Sequence, residues 1–340
     1  MQTIIRTHPA APAVPGLRFR RFGGETDFPA MAAVATASRE AEGSERVQSA
    51  QDWAHEFAHP ANYDPQTDTI FVEMDNQLAA WGYVTWRGSG ADKRLYQPWG
   101  FVHPDWRRRG IGRAMLHWQE RRLRELAAGH PEDKVRLLET WAADTALAKL
   151  ALFKSEGYAP ARYFYEMVRP SLDDILPAPI PPGLEVRPVR PEHYRTVWEA
   201  AEEAFSDEWG AWEKTDEDYQ NWLGNEMEFQ PEVFKVAWDT ASDQVAGMVL
   251  GFIDEKQNLR YDRRRGWTEN ICVRQPWRRR GLARALIAAN LRELKARGMT
   301  EAALGVDSEN ITGALQLYES MGFRVVKRSA LYRKPLAAVG

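Results

Sequence analysis

Two short runs bring arginine and glycine together in front of a helical pattern. The later one reads Val273-Arg274-Gln275-Pro276-Trp277-Arg278-Arg279-Arg280-Gly281-Leu282-Ala283-Arg284 and follows an apolar strand pattern through Ile271 and Cys272. Gly281 lets the backbone approach an anion without Cβ interference, and the free N–H groups and positive end of the following helix point to the same place. Leu282, Ala285, Leu286 and Ala289 recur at helical spacing, which predicts a helix from Gly281 to about Arg297 closed by Gly298. The chemistry this implies is the gripping of a phosphate-bearing ligand. Arg279 to Ala283 would supply main-chain donors, with Arg278, Arg280 and Arg284 adding charge.

The earlier run, Val102-His103-Pro104-Asp105-Trp106-Arg107-Arg108-Arg109-Gly110-Ile111-Gly112-Arg113, repeats the device. Matching Val102 to Val273 sets an offset of 171, and Trp106/Trp277, Arg107/Arg278, Gly110/Gly281, Gly112/Ala283 and Arg113/Arg284 fall on it without a gap. A dinucleotide fingerprint is excluded because Met115 stands where a third glycine belongs and Ala283 replaces the middle one. No Gly-x-x-x-x-Gly-Lys-Ser/Thr occurs.

Both turns fit Arg-x-x-Gly-x-Gly/Ala and, with the flanking valine and the continuing helix, resemble the acetyl-CoA pyrophosphate loop of the GNAT N-acetyltransferase superfamily. A second stretch, Asn310-x-x-x-Ala314-x-x-x-Tyr318-x-x-x-Gly322-Phe323, is similar to the second signature of these enzymes. The resemblance implies that Asn310 contacts the pantetheine arm and that Tyr318 stands near the thioester sulfur and protonates the leaving thiolate. Glu269, four residues before Val273, resembles the carboxylate that some GNAT enzymes use as general base. Backbone N–H groups around Ile271, Cys272 and Val273 would hold the oxyanion.

The two halves differ where protons would move. Aligning Gly157-Tyr158 with Gly322-Phe323 gives an offset of 165, which places Phe153 at Tyr318 and Thr145 at Asn310; on the 171 offset Pro98 stands at Glu269. A phenyl ring donates no proton and proline does not titrate. This asymmetry is similar to that of tandem GNAT proteins related to mycothiol synthase, with a catalytic C-terminal module. The expectation is an N-acetyltransferase using acetyl-CoA and a small-molecule primary amine, with Val102, Arg107 to Arg109, Gly110, Ile111, Gly112 and Arg113 forming at most a second, non-catalytic CoA-binding loop. The competing class is an acyl-CoA-binding regulatory protein without turnover. Trp209, Trp212, Tyr219 and Trp222 beside Glu208, Glu213, Asp216 and Asp218 could pack as core or line a site for a cationic acceptor.

The elements that must position these residues follow from length and pattern. At 340 residues the chain fits two ordinary domains. The expected architecture is α+β: two tandem GNAT domains, each a mixed, mostly antiparallel sheet flanked by helices, with a flexible arm over 1–15, domains over 16–169 and 184–336, and a Pro-rich linker over 170–183. Helices are expected over 27–40, 50–58, 111–127, 145–156, 192–205, 281–297 and 312–321. Hairpins are expected over 69–86 and 233–252, and continuous strands over 267–273 and 302–307. Net charge is −3, which disfavours nucleic acid, and no apolar run reaches membrane-spanning length. The single cysteine, Cys272, excludes intrachain disulfides, reads as a small buried hydrophobe, and fits a cytoplasmic location. No metal site is expected, and monomer and homodimer are both compatible with the sequence.

Overall fold

The computed structural model describes residues 12, 14–206, 208–211, 214–310 and 313–337. In chain order the elements are β1 (Leu17–Arg20), α1 (Phe28–Glu40), α2 (Ala50–Ala58), β2 (Thr69–Met74), β3 (Gln77–Ser89), β4 (Lys93–Val102), α3 (Ile111–Ala128), β5 (Val135–Ala143), α4 (Leu147–Ser155) and β6 (Ala159–Arg169). The second half continues with β7 (Leu184–Arg187), α5 (Tyr194–Phe205), α6 (Asp216–Gly224), β8 (Lys235–Asp239), β9 (Val245–Val249), α7 (Glu255–Arg260), β10 (Arg265–Trp267), β11 (Cys272–Val273), α8 (Leu282–Ala296), β12 (Glu301–Asp307), α9 (Ala314–Ser320) and β13 (Arg324–Pro335).

The chain forms two compact units that do not coincide with its two halves. Unit 1 comprises residues 1–162 and 329–340; unit 2 comprises residues 163–328. In unit 1 the strand order is β1-β2-β3-β4-β5-β13, antiparallel except for β4 and β5. Its last strand, residues 329–335, comes from the far end of the sequence. One face packs on α3 through Ile111, Met115 and Leu123; the other packs Trp81 and Phe71 against Met31 of α1 and Trp53 of α2. Helix α2 starts where Ser49 and Asp52 cap each other's backbone, an exchange that satisfies two otherwise unpaired N–H groups.

Unit 2 contains two sheets. Residues 164–169 of β6 pair antiparallel with β12, and β12 runs parallel to β10. The order β11-β9-β8-β7 is antiparallel throughout. Leu286, Leu291 and Leu294 of α8 pack on Ala302 and Leu304, and Val197 and Ala201 of α5 pack over Val236, Met248 and Cys272. These sheets are the mixed, mostly antiparallel layers expected.

Three expectations are revised. The Pro-rich stretch 170–183 belongs to unit 2: Leu172 is buried, Ile175 and Ile180 pack on its core, and Lys295 bonds Asp173 at 2.9 Å. The apolar residues between the prolines hold it down. The expected strand over 267–273 is broken into β10 and β11. Of the arm over 1–15, residues 1–11 and 13 lie outside the described residues, whereas Val14 packs against the unit 1 core. No helix among the described residues is long and apolar enough to cross a membrane, and they hold no cluster of metal-ligating side chains.

Candidate active site

The sequence repeat is a conformational repeat. Arg279 and Gly281 both adopt left-handed φ, +62° and +84°, and Gly281 is the N-cap of α8 with no side chain to cap it. In unit 1, Arg108 and Gly110 do the same at +64° and +81° in front of α3. Left-handed residues alternating through a tight turn direct successive N–H groups to one side, and the first-turn donors of the helix join them. Arg279 and Arg280 are exposed beside this cradle.

The remaining arginines make bonds that the sequence did not foretell. The Arg278 guanidinium donates to the Val273 carbonyl at 2.9 Å and to the Ala204 carbonyl at 3.2 Å, tying the turn to its own strand and to the end of α5. Arg107 mirrors it, donating to the carbonyls of Val102 and Ser38. Arg284 donates to Ser320 at 2.7 Å and Arg113 to Glu156 at 2.8 Å. These four side chains brace the loops, and in the later turn Arg279 and Arg280 are left exposed.

The break between β10 and β11 opens the sheet. Pairing with β12 runs to Trp267 opposite Ala303, and Thr268 donates to the Ala303 carbonyl at 2.8 Å. Asn270 then takes φ +46°, and the chain crosses to β9, where Cys272 faces Met248 and Val273 faces Gly247. Arg274 N–H bonds the Ala246 carbonyl, so the antiparallel alternation puts Cys272 in the ladder and turns the N–H groups of Ile271 and Val273 away from β9. Of the three donors expected for an oxyanion, Cys272 is thereby committed to the sheet. Beyond Ala303, Gly305 has no parallel partner, and its N–H donates instead to Glu269 Oε1 at 2.8 Å.

Glu269 is half-buried at this opening. Burial pushes its carboxyl up to about 8; the Gly305 N–H works against that rise, and the charges of Glu228 and Glu166 add to it. Tyr318, on α9, is buried at 6% exposure with its ring edge-on to Phe323. Burial raises its phenol far above the ordinary value, and the nearby Glu269, Glu208 and Cys272 oppose its ionisation further. The Glu269 carboxyl, pushed up to about 8, thus lies near enough to the buried Tyr318 phenol for its charge to act on it. Burial likewise pushes the Cys272 thiol up to about 12, leaving it an inert packing residue.

Asn310 does not cap α9, whose N-cap is Gly313 at φ +77°. It sits three residues earlier, its N–H bonded to the Asp307 carbonyl and its amide donating to Glu208 at 3.4 Å. Ile311 and Thr312 lie outside the described residues, as do Trp212 and Glu213. Tyr219 packs edge-on to Trp198, and Trp222 lies among Phe229 and Phe234, with Tyr219 and Trp222 both partly exposed. Gly305 escaped the sequence reading, although a lone glycine inside a strand pattern is a mark of close approach.

Unit 1 differs at the matching positions. At the register of Gly305, Thr140 donates its hydroxyl to the Pro98 carbonyl at 3.3 Å, across the position where unit 2 keeps Glu269. Phe153 is buried against Tyr158 and Tyr332.

A glycine cradle at a helix tip, set beside strands that part at Glu269 and Gly305, places the chain in the acyltransferase class of α+β proteins. The description "Acetyltransferase (GNAT) family" matches residues 196–323, and "Acetyltransferase (GNAT) domain" matches residues 66–166. The mycothiol acetyltransferase of Thermomonospora curvata is 32% identical over 247 residues, covering 69% of this chain and 72% of that protein. A GCN5-related N-acetyltransferase from Sphaerobacter thermophilus superposes with TM-score 0.72 at 28% identity, over 96% of this chain and 98% of that one. A tandem GNAT protein from the clavulanic acid pathway shares the fold at TM-score 0.69 and 17% identity, over 95% of this chain and 100% of that one. The chain belongs to the GNAT acetyltransferase family, as a tandem member.

Proposed function

We propose that unit 2 transfers an acetyl group from acetyl-CoA to the primary amine of a small molecule. The observation that supports this reading is Glu269 on the Gly305 N–H, beyond the end of the parallel pairing, with its charge acting on the buried Tyr318. The cradle suits a pyrophosphate: a Cβ built on Gly281 meets nothing within 4 Å, and its donors lie at a helix tip. When bound, acetyl-CoA supplies the activated acyl group.

An alkylammonium of ordinary pKa (~10.4) must lose a proton before it attacks. Glu269 takes that proton, directly or through water, and a carboxyl titrating at about 8 is a far better match to the task than one near 4.5. The amine nitrogen bonds the acyl carbon, the carbon–sulfur bond breaks, Tyr318 gives its proton to the departing thiolate, and the nitrogen's surplus proton goes to water as the amide forms and the Tyr318 oxygen is reprotonated. The N–H groups of Ile271 and Val273 support the oxygen that gains charge. Arg279 and Arg280 hold the diphosphate, and Asn310 supports the pantetheine arm. The name borne by the relatives supports a small-molecule acceptor.

The test is release of free thiol from acetyl-CoA across a panel of small amines, with wild type and Tyr318→Phe. Loss of the proton donor should lower turnover by roughly 10²-fold with CoA affinity retained. Unchanged turnover would remove Tyr318 from this role.

A further inference from the structure

The parallel pairing of β10 and β12 ends at one residue. Thr268 N–H donates to the Ala303 carbonyl at 2.8 Å, and in a parallel ladder the next bond would bring the Gly305 N–H to the Thr268 carbonyl. That N–H goes to Glu269 Oε1 instead. On the other side the strand holds one step longer, through the Leu250 N–H on the Glu269 carbonyl at 2.9 Å. Thr268 is therefore the pivot at which the strands part, and Glu269 is the first residue past it.

The side chain of the pivot is gripped by the helix that begins at the Gly281 cradle. Thr268 and Asn290 of α8 are both 0% exposed, and the Thr268 hydroxyl donates to Asn290 Oδ1 at 3.0 Å. Asn290 Nδ2 donates to the Val233 carbonyl at 3.3 Å, a group that only accepts, which leaves Oδ1 for the hydroxyl. Gly251 makes room, since a Cβ there would lie 2.4 Å from Asn290 Nδ2 and 2.7 Å from the Trp267 carbonyl oxygen. Successive side chains of an extended segment point to opposite faces, so holding Thr268 toward α8 turns Glu269 away from it. On the 171 offset, unit 1 has Gln119 at Asn290 and Gln97 at Thr268. Gln119 donates to the carbonyls of Tyr83 and Trp99, and Gln97 donates to the Glu139 carboxylate. Both helices carry a buried amide under the strands, and in unit 2 that amide also takes the hydroxyl of the residue before Glu269.

We propose that Asn290 and Thr268 are positioning residues: their buried bond locks the pivot and thereby holds the Glu269 carboxyl at the Gly305 N–H. This rests on the proposed function for the reaction that Glu269 serves, whereas the aiming of Glu269 is a property of the fold. The charges that act on Glu269 come from Glu228 and Glu166, and Glu166 lies 3.5 Å from Arg265 and 3.7 Å from Lys327. A change at Thr268 leaves all of these in the chain.

Two substitutions at the pivot separate aiming from packing. Thr268→Val keeps the shape and removes the hydroxyl; Thr268→Ser keeps the hydroxyl and removes a methyl group. Thr268→Val should lower kcat by at least ~10-fold with CoA affinity retained. It should also move the kcat/KM inflection down from about 8, by about one pH unit or more, as the carboxyl swings toward water. Asn290→Leu should repeat that profile, and Thr268→Ser should keep the wild-type inflection despite its lost packing. An inflection that Thr268→Val leaves in place, or that Thr268→Ser moves as far, would overturn the proposal, because a merely structural pair lowers stability without moving it. Urea unfolding at about pH 5 and about pH 9 needs no ligand: the loss of stability with rising pH in wild type should shrink in Thr268→Val and persist in Thr268→Ser. A wild type without turnover would defeat the functional reading and leave unfolding to decide this one, an equal loss in Thr268→Val and wild type refuting it.

Discussion

Replacing Glu269 with glutamine should leave a signature in stability as well as in rate. The folded protein holds the Glu269 proton up to about 8, whereas the unfolded chain releases it near 4.5. Between those values the folded state binds more protons, so this group makes stability fall as pH rises, with the loss complete above about 8. A gap of about 3.5 pH units at 1.36 kcal/mol each gives an upper bound of about 4.8 kcal/mol. Partial exposure to water reduces this to about 2 kcal/mol. Glutamine keeps an oxygen for the Gly305 N–H but has nothing to titrate. Urea unfolding at about pH 5 and about pH 9 should therefore show the variant gaining about 2 kcal/mol on wild type at the higher pH and little at the lower. In kcat/KM the wild type should rise through an inflection near 8 that the variant lacks. Stability curves that stay parallel across this range would refute the buried, proton-holding carboxyl, and an inflection that survives the substitution would remove it as the base.

The other perturbations probe the cradle and its bracing. Gly281→Asp places a negative charge and a strained φ at the helix tip, and should abolish CoA binding measured by calorimetry while the fold survives. Arg278→Ala removes two charged bonds to carbonyls and should cost about 2 kcal/mol in unfolding experiments while also weakening CoA. At Gly305 a Cβ would lie 3.5 Å from Glu269 Oε1. Gly305→Val should therefore crowd the carboxylate, lowering kcat and moving the pH inflection, while CoA affinity stays.

What the sequence discloses here is what neighbouring residues decide among themselves. Helix α2 and strand β2 fall on their expected limits because a capping box starts one and the Asp75-Asn76 turn, both residues at positive φ, ends the other. The gapless offset of 171 was enough to foresee two matching turns, since each turn is made by its own glycine and arginines. Glu269 and Tyr318, the proposed proton carriers, were picked out by type and spacing. The opening between β11 and β12 was not: β10 stops because Asn270 and the pull of β9 divert the chain, and both belong to tertiary pairing. The short helix α7 also went unseen, since it is a single polar stretch held by Asp254 capping Gln257. The bonds of Arg278 and Arg107 to carbonyls were not legible, because a guanidinium bonds carbonyls as readily as phosphates.

Unit 1 is completed by residues 329–335, which bond along β5. During synthesis, β5 leaves the ribosome nearly two hundred residues before its antiparallel neighbour is made. Until then its outer hydrogen-bonding edge, along residues 137–143, stays bare, a template for strands of other chains. The nascent protein thus passes most of its elongation with one sheet unfinished, and loss of the last dozen residues would injure the half of the molecule made first.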